Sequence, residues 1–88
     1  MKIKNGFVLR RVLDEAIVIA SGEASKNFHG MVKLNDSAAD IWEWIAAGYE
    51  EKELVSKLSD KYSLDEDKAL CDVRSMLSQM SNAGLIEL

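Results

Sequence analysis

The chain has no proline, a single cysteine and a single histidine among its 88 residues. Cys71 alone cannot close an internal disulfide, and with His29 it cannot complete a four-ligand zinc site, so a small fold stapled by cystines or metal is excluded. No window approaches the ~20 consecutive apolar residues of a membrane span. The start, MKIKNGFVLRR, lacks an apolar segment followed by a small-residue cleavage site, so the expected location is the cytoplasm. Low-complexity runs, repeats of roughly 20 to 50 residues, and the glycine patterns that cradle dinucleotides or nucleotide phosphates are also missing.

What is present suits a folded globular unit. Apolar residues make up 48% and charged residues 30% of the chain. A chain this short has room for one core, so one domain spanning 1–88 is expected. The net charge of -4 conceals an uneven split. Residues 1–35 carry six Lys/Arg against three Asp/Glu, net +3, and residues 36–88 carry five against twelve, net -7. Nucleic acid requires clustered cations, which the second half does not offer.

Without proline, boundaries come from glycines and changes of period. Residues 6–12 and 15–20 are rich in Val, Ile, Leu and Phe, and the short break Leu13-Asp14 predicts a hairpin of two strands. Both faces of the second run are apolar, as in a central strand. After the polar stretch SGEASKNFHG, the run MVKL predicts a short third strand at a sheet edge. Asn35 then suits an N-cap, Asp36 a first helical turn and Gly48 a C-terminal stop, giving a helix over 36–47. Ala38, Ile41, Trp42 and Ile45 form its buried stripe, with Trp44 off-centre and a candidate partner contact. A second helix over about 50–61 turns Leu54, Val55 and Leu58 inward. Asp65 caps a third, which runs to about Asn82 and stops at Gly84 before the apolar tail Leu85, Ile86 and Leu88. Leu70, Val73, Leu77 and Met80 share one arc of that helix, with Cys71, Arg74, Ser78 and Ser81 on a flank. Three strands followed by three helices make an α+β domain of winged helix-turn-helix order.

Four stretches in order, GFVLR (6–10), VIASGEASKNFHGMVKLND (18–36), AADIWEWI (38–45) and LCDVRSMLSQMSNAGLIEL (70–88), together resemble the PqqD family. Its members are recognition elements for the precursors of ribosomally made, post-translationally modified peptides. The resemblance implies a winged helix-turn-helix-like, three-stranded antiparallel sheet followed by three helices that binds peptide instead of DNA. It implies that a leader segment adds as an antiparallel strand to the third strand, fills the groove towards the third helix, and is delivered to a modifying enzyme, often a radical SAM enzyme. Transferred to this sequence, Met31, Val32, Lys33 and Leu34 supply the strand edge, and Leu70, Arg74, Leu77, Ser78 and Ser81 the helix wall. With Arg74 in that wall, the leader is expected to mix hydrophobic and acidic residues.

Physical chemistry points the same way: an uncovered strand edge templates another strand, and alternate side-chain pockets give selectivity. The rival functions are weaker. The third helix holds Lys68 and Arg74 against Glu66, Asp67 and Asp72, the wrong sign for a DNA-recognition helix. His29 and Cys71 have nothing in the sequence to join them as base and nucleophile, and Asp65, Glu66 and Asp67 suit capping of a helix start. No catalytic residue, cofactor or metal ligand is assigned; leader peptide and modifying enzyme are the expected partners, with no nucleic acid and no membrane.

Overall fold

The computed structural model describes residues 1–22 and 31–88, so His29 and most of the polar stretch before MVKL lie outside the described residues. In chain order the elements are β1 (Lys2–Ile3), β2 (Phe7–Val12), β3 (Glu15–Ala20), β4 (Met31–Leu34), α1 (Asp36–Ala46), α2 (Glu51–Tyr62), α3 (Glu66–Asn82) and β5 (Ile86–Glu87). The third strand of the sequence reading is β4.

The antiparallel sheet has the order β2-β3-β4. Val8, Ile19 and Met31 align across it, as do Arg10, Ile17 and Lys33. Successive side chains alternate between faces. Ala16 and Val18 therefore turn inward, both buried, while Ile17 and Ile19 face the other way and are only half-buried. The helices begin where side-chain acceptors cap them: Asn35 Oδ1 accepts from Ala38 N–H at 2.9 Å and Asp65 Oδ1 from Lys68 N–H at 2.8 Å. Glu50 and Glu53 close a reciprocal capping box at α2.

The core joins Val18 to Ile41, Trp42 and Ile45 of α1, Leu54 and Leu58 of α2, and Ala69, Val73, Leu77 and Met80 of α3. Burying each large apolar side chain contributes about 1.5–3 kcal/mol. The tail, expected only to be apolar, does more. Gly84, at φ +79°, reverses the chain after α3 in a conformation that favours glycine. That turn inserts Leu85 and Ile86 into the core and pairs β5 with β1, Ile3 opposite Ile86.

Polar links fasten the helices. Arg11 Nη2 donates to Glu43 Oε1 at 2.7 Å, tying β2 to α1. On buried Asp40, Oδ2 accepts from Tyr62 Oη at 2.5 Å and lies 2.8 Å from Lys61 Nζ. Burial, and then the bond to Asp40, push the Tyr62 phenol up to about 12.

Candidate binding groove

Strand β4 ends at Leu34 because Asn35 turns the chain into α1 as its N-cap. Within the sheet β4 pairs only with β3, leaving its other edge without a strand among the described residues. Val32 and Leu34 point inward. Met31, 67% exposed, and Lys33 point outward, and Lys33 Nζ meets Glu15 Oε1 at 2.7 Å. Four residues and an outward cation keep this edge short enough to limit pairing with copies of itself.

Between β4 and α3 runs a groove of about 400 Å³. One wall is Val32, Lys33 and Leu34, the floor includes Ala38 and Leu85, and α3 supplies Asp72, Ser75, Met76, Gln79, Met80 and Ala83. Met76 and Met80 give it soft, adaptable apolar surface. Its charged groups are internally matched: Asp72 accepts from Lys68 Nζ at 2.9 Å, and Lys33 is held by Glu15. The bond to Asp72 raises the Lys68 pKa.

The structure thus brings Met31, Val32, Lys33 and Leu34 together on one edge but places the expected helix wall elsewhere. Leu70 and Arg74 border a cleft with Val55 and Ser56 of α2. Arg74 Nε donates to Glu51 Oε1 at 3.0 Å, locking α3 to α2. Leu77 is a core residue, and Ser78 and Ser81 lie beside Met1 and Leu88 on the far side of the helix. At ~100° per residue, Asp72, Ser75, Met76 and Gln79 sit roughly opposite Leu70, Arg74, Ser78 and Ser81 around the helix. The buried arc runs between these two flanks, and periodicity locates the arc without saying which flank faces β4. The connection through Gly84 decides it, since Leu85 returns beneath the flank that carries Met76, Met80 and Ala83. With Arg74 outside the groove, the motive for an acidic leader disappears.

Cys71 and Trp44 do not line the groove. Cys71 is exposed on α3. Among the described residues no group of three or more His, Cys, Asp or Glu could hold a metal ion. Trp44 is half-buried against the core, with Lys57 Nζ 5.8 Å from its ring centroid.

Fold and groove together define a class: an α+β domain of winged helix-turn-helix order with an open sheet edge facing its third helix. The family profile for coenzyme PQQ synthesis protein D (PqqD) matches residues 15–86, and the chain belongs to the PqqD family. Two solved structures share the fold. TbiB1 in complex with the TbiA(beta) leader peptide is 24% identical at a TM-score of 0.82, covering 99% of this chain and 95% of TbiB1. Lasso peptide synthetase B1 complexed with the leader peptide is 14% identical at a TM-score of 0.79, covering 96% of this chain and 93% of its own. Among curated proteins, no sequence matches the chain. In the described residues, no helix is long and apolar enough to cross a membrane.

Proposed function

We propose that this chain is a non-catalytic adaptor that captures the leader segment of a ribosomally made precursor peptide and presents it to a modifying enzyme, of the radical SAM type. The observation that carries the reading is the open edge of Met31–Leu34 beside the groove. A leader strand added antiparallel to β4 draws affinity from main-chain hydrogen bonds, and its alternate side chains enter the groove over Ser75, Met76 and Gln79. Membership of the PqqD family and the leader peptides bound by the two similar structures support it. A micromolar complex corresponds to about -8 kcal/mol, within reach of one strand and a few pocketed side chains. Because the charged groups lining the groove are already paired, the residues it selects are apolar and uncharged.

DNA binding, the alternative for a winged helix, has no such support. Lys68 and Arg74, the cations of α3, are engaged by Asp72 and Glu51. The reading is tested by titrating the chain with its cognate leader in a calorimeter. Saturable one-to-one binding is expected, and heat from duplex DNA with none from the leader overturns the reading.

A further inference from the structure

Of the five large hydrophobic residues most exposed among the described ones, Val8, Val12, Leu13 and Met31 gather on the outer face and tip of the sheet; the fifth is Leu88. The register places them in rows: Val8 beside Ile19 beside Met31, then Arg10 beside Ile17 beside Lys33, with Val12 opposite Glu15. This face lies opposite the groove, and no helix among the described residues covers it. Leu13, 96% exposed, opens the two-residue turn between β2 and β3 at φ +57°, a conformation that hairpin turns normally give to Gly, Asn or Asp. A bulky apolar residue kept in a strained, solvent-facing position points to a function for its side chain.

The charges on the face select the occupant. Glu15 and Lys33 satisfy each other, whereas Arg10, between Val8 and Val12, has no hydrogen-bond or ion-pair partner among the described residues. An unpaired arginine set among aliphatic side chains has the composition of an interface centre, and its planar guanidinium fits a carboxylate. Two-fold packing of this face on a second copy, centred on Arg10, would set the two arginines against each other. One free cation among the described residues of this face also falls far short of the cluster of about four to eight that draws a protein to anionic lipid.

We propose that the outer face of β2–β3, centred on Val8, Arg10, Val12 and Leu13, docks an apolar surface bearing a carboxylate on the enzyme that modifies the captured peptide. The proposal rests on the peptide-capture reading above. Docking here leaves the groove free and keeps the enzyme within two to three strand spacings, roughly 10–14 Å, of a peptide added to β4.

The test uses the full chain, its cognate leader and the purified enzyme whose modification of the precursor depends on this chain. The variants are Leu13→Asp, Arg10→Glu and Leu13→Asn; the last suits the turn and is expected to melt higher than the native chain. All three are expected to bind leader within twofold of the native Kd and to bind the enzyme at least tenfold more weakly. Loss of leader binding in the native chain overturns the capture reading itself. Normal leader binding with unchanged enzyme affinity in all three variants overturns the docking face alone. So does binding of the native chain to vesicles of phosphatidylserine and phosphatidylcholine that Leu13→Asp abolishes, because the face then serves a membrane. A concentration-dependent dimer in sedimentation velocity that Leu13→Asp dissolves assigns the face to a second copy and likewise overturns the proposal.

Discussion

Helix α3 has two flanks of similar composition and opposite fates. Towards α2, Arg74 is bonded to Glu51, Leu77 is buried, and the chain termini lie beside Ser78 and Ser81. Towards β4, Asp72, Ser75, Met76 and Gln79 face a groove and a strand edge with no further strand among the described residues. Each flank mixes a charged residue with apolar and uncharged polar ones, so composition does not distinguish them. What separates them is the neighbour: a helix closes its side with side chains, while a sheet edge leaves main-chain groups available. Which flank is left open is therefore set by topology.

The comparison is broken hardest at β4. Proline at Val32 or Lys33 removes a main-chain donor that faces the leader in one case and β3 in the other. One of the two should lower leader affinity by roughly a hundredfold, about 2.7 kcal/mol, with the fold retained, and the other should unfold the sheet. Calorimetry paired with circular dichroism separates them. Next comes a matched pair on α3. Gln79→Trp fills the groove and is expected to weaken the leader by at least about tenfold, roughly 1.4 kcal/mol, while Ser78→Trp leaves its Kd within twofold.

The closed side predicts smaller effects on stability. Tyr62→Phe removes the bond to buried Asp40 and should cost about 1 kcal/mol in denaturant unfolding at neutral pH. It also carries a pH signature. The folded phenol titrates near 12 instead of its ordinary 10, so the stability it contributes is fully present below pH 10 and is lost as pH rises towards 12. The native chain should weaken more steeply across that window than Tyr62→Phe. Smallest is Arg74→Glu, which replaces an exposed ion pair with a like-charge contact at Glu51 and should cost about 0.5–1 kcal/mol. Leader affinity should stay unchanged, even for an acidic leader.

Most elements were legible because their signals are local. Asn35 and Asp65 cap the helices they were expected to cap, the Leu13-Asp14 break turns the hairpin, and Val18 shows the inward burial of a central strand. Met31–Leu34 could be placed at an edge because the run is short and precedes the first helix. The helix wall was not legible. Leu70, Arg74, Leu77, Ser78 and Ser81 satisfy the helical period as well as Asp72, Ser75, Met76 and Gln79 do, and the choice depends on where Leu85 returns. The β1–β5 pair escaped for a related reason: two-residue strands have too few positions to show a period, and their partners sit at opposite ends of the chain.

Amide chemical-shift mapping during titration with the cognate leader tests the central claim most directly. Perturbations are expected at residues 31–34 and along Asp72, Ser75, Met76, Gln79 and Ala83, with α2 and the Arg74, Ser78 and Ser81 flank quiet. Perturbations concentrated on Leu70, Arg74, Ser78 and Ser81 or on α2, with residues 31–34 silent, would contradict the assignment of the groove.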